Sequence, residues 1–169
     1  MAPAQKLYGK YRGTIVNNAD PEAIGRIQAL VPDVSQAALA TWATPCAPIA
    51  GVRMGIWALP PVGAHVWIEF EGGDRDRPIW SGGFWTTAGD MPNHGVAPTL
   101  STITLQTTQQ NAITVSDLPG PAGGIVLRSA SGATIVVNDT GITIANGKGA
   151  TIVLAGPSVT INDGALTIT

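Results

Sequence analysis

Aromatic residues are missing from the second half of this sequence. All nine of them, five Trp, two Tyr and two Phe, lie before residue 86 of a 169-residue chain. Charge thins out as well, since only five charged residues follow residue 100: Asp117, Arg128, Asp139, Lys148 and Asp163. Because a single hydrophobic core saturates at roughly 100 to 200 residues, this asymmetry predicts one small domain joined to an appendage that is built differently.

Basic clusters and cysteine pairs are also lacking. The formal net charge is -2 and no run of Lys or Arg occurs, so the sequence lacks the positive surface with which proteins neutralise several phosphates. We therefore expect no nucleic-acid partner. Cys46 is the only cysteine, which excludes an internal disulfide.

Long apolar runs are absent. Residues 1–10 contain no apolar stretch of the roughly 7 to 15 residues found in a signal peptide. No other segment approaches the roughly 20 apolar residues that cross a bilayer as a helix. The sequence therefore predicts a protein without a signal peptide or membrane anchor.

Patterns typical of catalysis or metal binding do not occur. The two histidines, His65 and His94, stand in no His-x-His or His-Glu-x-x-His frame, and no Ser/His/Asp order or phosphate-binding glycine loop is present. Four carboxylates near one predicted turn could form an acid/base pair, although charged hairpin tips are usually only solvated: Glu69, Glu71, Asp74 and Asp76. We predict no enzymatic activity, no metal site and no cofactor.

Short strands separated by Gly, Pro, Asn and Asp fill the first half of the chain. Alternating residues predict strands at 11–16 and 25–31. Because Pro45 and Pro48 interrupt residues 42–49, that segment is expected to be at most an edge strand or a bulged strand. Residues 64–71 and 78–85 flank a polar turn and predict a β-hairpin. Five short strands in about 80 residues favour a closed barrel, because closure hides the strand edges.

Two local features of this half stay open. Residues 32–41 could form one short helix, although the length is marginal. Four aromatic residues are expected in the barrel core or in a contact between subunits, and exposed aromatics of such barrels can instead stack on bases or sugars: Trp67, Phe70, Trp80 and Trp85.

Eight short β-branched strands follow residue 100. Their apolar triplets begin at residues 103, 113, 125, 135, 142, 152, 159 and 166, with Asn, Asp, Gly, Ser or Pro between them. So short a repeat indicates either stacked coils or meandering strands, in which each unit buries its apolar face only against neighbours.

One chain alone could not bury the apolar face of these eight strands, which we call the rod. Each strand supplies two or three inward aliphatic residues and nothing larger. A single layer of strands would therefore leave its apolar face exposed to water and its long strand edges unpaired. Three chains around one axis solve both problems, with Ile, Val and Leu inside and Thr, Ser and Asn outside. We therefore predict a homotrimer.

Residues 60–74 and 78–85 carry a resemblance to a known family. The elements Pro-Val-Gly, Glu-Phe-Glu-Gly-Gly-Asp and Trp-Ser-Gly-Gly occur there in order, preceded by matching elements at 13–16, 25–27 and 31–32. They resemble the OB-fold barrel of phage baseplate spike proteins, a family that includes baseplate assembly protein V, the central spike of contractile phage tails and the VgrG spikes of type VI secretion systems.

The resemblance implies an all-β fold with two parts. An N-terminal OB-fold barrel precedes an intertwined triple-stranded β-helix that forms a homotrimeric needle. The corresponding domains are an arm at residues 1–10, the barrel at 11–86, a linker at 87–100 and the rod at 101–169. The linker is too short to hold the lysozyme-like domain that some spikes insert there.

The implied function is structural. The chain is expected to be the central spike of a contractile phage tail or phage-like injection system, mounted under the tube and hub and used to puncture the target cell envelope. Its place would be the tail baseplate of a virion or phage-like particle, among other baseplate proteins, with transient contact to the target membrane. Such a protein is expected to be made in the bacterial cytoplasm without a signal peptide. The alternative is a trimeric carbohydrate-binding tailspike or adhesin.

Two further partners follow from departures within the family. Some spikes hold an iron ion at the tip with a His-x-His pair, whereas residues 164–169 contain no histidine. We therefore expect a separate PAAR-like tip protein, or else a blunt uncapped needle, at four residues: Leu166, Thr167, Ile168 and Thr169. The sequence starts almost at the barrel, so the hub is expected to be a separate protein that docks on barrel loops: Asn17, Asn18, Asp20, Asp74 and Arg75.

Overall fold

The computed structural model describes residues 6–39, 41–92 and 100–168, and the chain forms two compact units, Met1–Asp90 and Met91–Thr169. Among the described residues of the first unit there are seven strands: β1 (Tyr11–Asn17), β2 (Gln28–Leu30), β3 (Thr44–Pro45), β4 (Ala50–Gly51), β5 (Met54–Gly55), β6 (His65–Phe70) and β7 (Pro78–Gly83). Five of them form one sheet in the order β2-β1-β6-β7-β3, and β4 pairs only with β5. All pairs are antiparallel except β3 with β7.

This sheet closes on itself. Ile27 and Ala43 exchange two backbone hydrogen bonds, with N···O distances of 3.1 and 2.7 Å, and thereby join the start of β2 to the start of β3. Closure removes both free edges of the five-stranded sheet. The all-β prediction and the OB-type barrel are confirmed.

Alternation along the strands builds the barrel core. Val66, Ile68 and Phe70 of β6 point inward, and Ile15 of β1 packs beside them. Gly13 allows β1 to approach this core closely, because a Cβ there would lie 3.0 Å from Cγ1 of Ile68. The remaining buried members are Ile27, Ala29, Val31, Leu39 and Ala43.

Local departures from the sequence predictions have simple causes. The strand predicted at 25–31 is confined to Gln28–Leu30, because residues 20–26 are held in a loop around Asp20. Residues 31–39 form turns, with the amides of Val34 and Ser35 both donating to the carbonyl of Val31 at 2.9 Å. The possible helix at 32–41 is therefore not formed in the described residues, since the segment is too short to sustain one.

The second unit is a single eight-stranded antiparallel sheet. Its strands are β8 (Thr102–Gln106), β9 (Ala112–Ser116), β10 (Gly124–Arg128), β11 (Thr134–Asn138), β12 (Gly141–Ala145), β13 (Thr151–Ala155), β14 (Ser158–Ile161) and β15 (Leu166–Ile168). Each strand pairs with its sequence neighbours, so the order runs β8 to β15 without a crossover. All eight predicted triplets lie in strands, and of the two predicted arrangements the chain adopts the meander.

Helices contribute little to either unit. The described residues contain three short 3-10 turns, at Glu71–Gly73, Ala88–Asp90 and Asn162–Gly164. Within these same residues, no helix is long and apolar enough to cross a membrane.

Candidate assembly surface

Two ladders of aliphatic side chains run along one face of the eight-stranded sheet. Cross-strand pairing aligns one Ile, Val or Leu from every strand in each ladder, without an exception. We call these sixteen residues the aliphatic face: Ile103, Val115, Ile125, Val137, Ile142, Leu154, Val159 and Ile168 in the first ladder, and Leu105, Ile113, Leu127, Ile135, Ile144, Ile152, Ile161 and Leu166 in the second.

The aliphatic face is open to solvent in the single chain. Thirteen of its sixteen side chains are between 37% and 67% exposed, and the remaining three are partly buried. Monomeric soluble proteins rarely expose a contiguous apolar patch of this extent. Burying it would yield on the order of 10 kcal/mol per chain, at roughly 1.5 to 3 kcal/mol for each fully buried aliphatic side chain.

The opposite face carries a ladder of β-branched residues. Thr104 and Thr114 face each other there, with their hydroxyl oxygens 3.3 Å apart. Among the side chains that the structure describes, this ladder is Thr104, Thr114, Val126, Val136, Thr143, Val153 and Thr160. Three valines thus lie on the face expected to carry only polar residues, because alternation places the middle residue of each triplet there whatever its type.

The dimensions of the sheet suit three copies around an axis. A five-residue strand is about 16 Å long, and eight strands stacked at about 4.8 Å give a length of about 34 Å. Three such sheets arranged as a triangular prism lie about 5 Å from the central axis, half the roughly 10 Å that separates packed sheets. Two aliphatic ladders per sheet can fill that space.

Asparagine side chains fix the turns at the ends of these strands. Oδ1 of Asn146 accepts hydrogen bonds from the amides of Lys148 and Ala150, at 2.8 and 3.0 Å. Oδ1 of Asn138 accepts from the amide of Thr140 at 2.9 Å, and Oδ1 of Asn162 from the amide of Thr151 at 3.0 Å. The turn residues therefore hold the register that aligns the aliphatic ladders.

The predicted tip residues lie at one edge of the sheet. Leu166 and Ile168 belong to the edge strand β15, and both side chains are more than half exposed. Thr167 lies between them in the same strand, and Thr169 falls outside the described residues.

The predicted hub-docking residues divide into two groups. Asn17 donates from Nδ2 to Oε1 of Gln28 at 3.0 Å, and Asn18 donates to the carbonyl of Pro60 at 2.9 Å. Asp74 and Arg75 lie on the exposed turn after β6. The side chains of the first group are thus engaged within the barrel, and those of the second group are open to solvent.

Asp20 organises the loop that precedes β2. Its carboxylate accepts two hydrogen bonds from the Arg26 guanidinium, at 2.9 and 2.7 Å, and three from the backbone amides of Glu22, Ile24 and Arg26. The side chain is only 3% exposed. The Arg26 guanidinium, supported by the backbone amides, holds the pKa of Asp20 well below its usual range.

The four predicted aromatic positions separate into core and surface. Phe70 lies in the core, and Trp80 packs against it while its Nε1 donates to the carbonyl of Gly25 at 3.0 Å. Trp67 lies on the outer face of β6, where its ring centroid is 4.7 Å from that of Phe84. Trp85 is 60% exposed.

Most of the carboxylates near the β6–β7 turn are engaged locally. Glu69 pairs with Nζ of Lys10 at 2.9 Å, and this contact lowers the pKa of Glu69. Glu71 pairs with Arg77 at 2.6 Å, and Asp74 caps the amide of Asp76 at 3.0 Å.

Metal-binding clusters are likewise lacking wherever the chain is described. No group of three His, Cys, Asp or Glu side chains that could hold a metal ion occurs there. Nδ1 of His65 lies 3.3 Å from the hydroxyl oxygen of Thr14. His94 falls outside the described residues.

Sequence reasoning missed one surface. The short hairpin of β4 and β5 projects apolar side chains into solvent, with Val52 of its tip 96% exposed. The signal was present as Gly51 and Gly55 within a stretch of Ile, Val, Met and Trp, but the strands are only two residues long. Strands of that length give no recognisable alternation.

Comparison with known families gives two matches that together span most of the chain. Residues 11–85 match the type VI secretion system/phage-baseplate injector OB domain, and residues 102–167 match the phage baseplate V C-terminal trimerisation domain. A comparison with curated protein sequences gives no match. The barrel agrees with the first domain, and the uncovered aliphatic face agrees with the second. The chain therefore belongs to the phage baseplate V family of baseplate spike proteins, as a structural baseplate component that forms homotrimers.

Proposed function

We propose that this chain is the central spike of a contractile tail or phage-like injection system and that it punctures the target cell envelope without catalysis. The observation that carries the proposal is the unbroken aliphatic face of the eight-stranded sheet. Three such faces enclose a dry core of aliphatic residues, whose packing resists bending more than a solvated interior would. Thr and Val on the outer face keep the surface of the rod compact and almost free of charge.

The barrel is proposed to mount the needle. A separate hub protein would bind the accessible part of the predicted loops, at Asp74 and Arg75. A PAAR-like tip protein would cover the β15 edge at Leu166 and Ile168, because exposed strand edges and aliphatic side chains invite pairing.

Light scattering of the purified chain tests the assembly on which this function depends. We expect a mass about three times 17.3 kDa, and a species that persists on heating in detergent. A stable monomer of 17.3 kDa would overturn the proposal.

Labelling of assembled particles tests the location. An antibody or gold label on this chain should mark the distal end of the baseplate, and particles lacking the chain should fail to breach target cells while still adsorbing to them. Binding of the purified trimer to a glycan array, with loss of adsorption when the chain is missing, would instead support the adhesin.

A further inference from the structure

A short apolar arm projects from the barrel. We define the β4–β5 arm as residues 49–57, in which β4 and β5 pair with each other and stay outside the five-stranded sheet. Five of its side chains are more than half exposed: Ile49, Val52, Met54, Ile56 and Trp57. An isolated two-stranded hairpin is marginally stable in water at best, so this arm needs a packing partner.

The arm is anchored at the seam where the barrel closes. The amide of Ile56 donates to the carbonyl of Ile49 at 3.1 Å, which fixes the base of the hairpin. The ring of Trp57 lies over Gly25, where an added Cβ would be 3.2 Å from Cζ3 of Trp57. Gly25 precedes Ile27, which pairs with Ala43 to close the barrel. The arm therefore starts beside the β2–β3 seam.

A second apolar surface lies on the outer face of β1, β6 and the end of β7. The Arg12 guanidinium stacks over the rings of Trp67 and Phe84, at 5.5 and 5.1 Å from their centroids. Trp85 follows and is 60% exposed. We call Arg12, Trp67, Phe84 and Trp85 the aromatic patch.

Strand order places the arm and the aromatic patch on opposite sides of the barrel. Around the closed sheet β2-β1-β6-β7-β3, the strand opposite the β2–β3 seam is β6. A threefold interface is heterologous and requires two different, complementary patches on each protomer. The barrel presents such a pair.

The trimer brings these surfaces together. Eleven residues, 91–101, connect Asp90 to the first strand of the trimerisation domain, a reach of at most about 40 Å. Three barrels tethered to one trimer therefore meet at a high effective concentration, on the order of millimolar for short linkers.

We propose that the β4–β5 arm of each barrel packs on the aromatic patch of the next barrel around the threefold axis. Val52 and Met54 would contact Trp67, Phe84 and Trp85, and a Met sulfur against an aromatic ring is a favourable contact. One contact repeated three times covers both exposed surfaces, whereas a hub protein bound to the arm leaves the aromatic patch open. The proposal goes beyond the spike function and rests only on the homotrimer.

Cysteine cross-linking of the full-length trimer tests this arrangement. In a Cys46→Ser background, Val52→Cys and Arg12→Cys are combined and treated with a short bismaleimide. We expect covalent trimers on a denaturing gel from the double variant, and none from either single variant, because the proposed contact joins residue 52 of one barrel to residue 12 of the next and each single variant supplies only one of the two thiols. Cross-linking of Val52→Cys alone, or of no variant, overturns the proposal.

A charge substitution gives a second readout that does not depend on the cross-linker. Val52→Asp should lower the unfolding temperature of the barrel within the trimer by several degrees, whereas Val62→Asp, at another exposed valine of the same barrel, should leave it unchanged. Equal unfolding temperatures of the two variants overturn the proposal. An arm that is shielded from solvent only after hub protein is added also overturns it. Light scattering distinguishes failure of the homotrimer from failure of this inference. A monomeric mass contradicts the homotrimer, whereas a trimeric mass without cross-linking in the double variant contradicts this inference alone.

Discussion

Ile144 and Ile152 lie directly opposite each other on β12 and β13, in the middle of the rod sheet, and both side chains remain more than a third exposed in the single chain. Ile135 of β11 continues the same ladder on the other side of Ile144. A central strand pair of a sheet normally has its aliphatic residues covered by a second layer. Here the described residues of the chain leave the pair exposed, and the match to a trimerisation domain indicates that other copies supply the second layer, which makes the pair a sensitive reporter of assembly.

Replacing Ile144 by Asp should abolish the trimer. Three carboxylates would then be buried around one axis without partners, at a cost of several kcal/mol per chain. Thr143→Asp, on the opposite face of the same strand, is the matched control and should keep the trimer. Light scattering of both variants checks this, and an intact Ile144→Asp trimer of unchanged thermal stability would contradict it.

Gly141 should be irreplaceable at the start of β12. Its φ is +139°, and an added Cβ would overlap the carbonyl oxygen of Leu154 on the neighbouring strand. Gly149 also has a positive φ, of +99°, but open space around it. Both Gly→Ala variants carry the backbone strain of roughly 1 to 2 kcal/mol. Only Gly141→Ala adds the clash, so denaturant unfolding should show the larger loss for Gly141→Ala.

Barrel stability should depend on Ile15 and hardly at all on its neighbour Val16. Ile15 is buried in the core, while Val16 points outward on the same strand. Ile15→Ala should cost about 2 to 4 kcal/mol, and Val16→Ala less than about 1 kcal/mol. Chemical unfolding followed by Trp fluorescence measures both, because every Trp lies in the barrel half. Similar losses for the two variants would argue against this core.

Asp20 should make barrel stability dependent on pH in the acid range. Because folding lowers its pKa, the folded state favours the carboxylate, and the resulting stability is present above the ordinary Asp pKa of about 3.9. It is lost as the pH falls from there toward the lowered pKa. Asp20→Asn should therefore be less stable than the natural chain at pH 7, and the difference should shrink at pH 3.

Glu22→Gln is the control for Asp20. Glu22 also pairs with Arg26, at 2.9 Å, but its side chain is 63% exposed. An exposed pair contributes little. Unfolding curves at both pH values should show a smaller loss for Glu22→Gln than for Asp20→Asn, and a pH-independent loss in Asp20→Asn would contradict the linkage.

The rod was predictable from sequence because its information is local. Each strand carries its own alternation and each turn its own Asn, Asp or Gly, so Ile142 and Ile144 already identify the face that their strand buries. The β6–β7 hairpin was predictable for the same reason. Its two strands are long enough to alternate, and the turn between them is polar and glycine-rich.

The barrel's remaining structure depends on contacts distant in sequence. Pairing of Ile27 with Ala43 closes the sheet through a single bridge. One bridge is too short to produce a periodic pattern of apolar residues in the sequence. The sequence around Asp20 predicts an exposed turn residue. Its side chain is nevertheless enclosed, because Arg26 and three backbone amides converge on it. A docking role for such a residue could not be judged before its neighbours were known.

Sequential strand order gives the eight-stranded sheet an uncommon freedom. Since every strand from β8 to β15 pairs only with its neighbours in the chain, a pair of strands can be gained or lost without rerouting any connection. Each such pair changes the rod length by about 10 Å and leaves the direction of the last strand unchanged. The length of this sheet is therefore an evolvable quantity, adjustable by duplication or deletion of whole hairpins while the barrel stays the same.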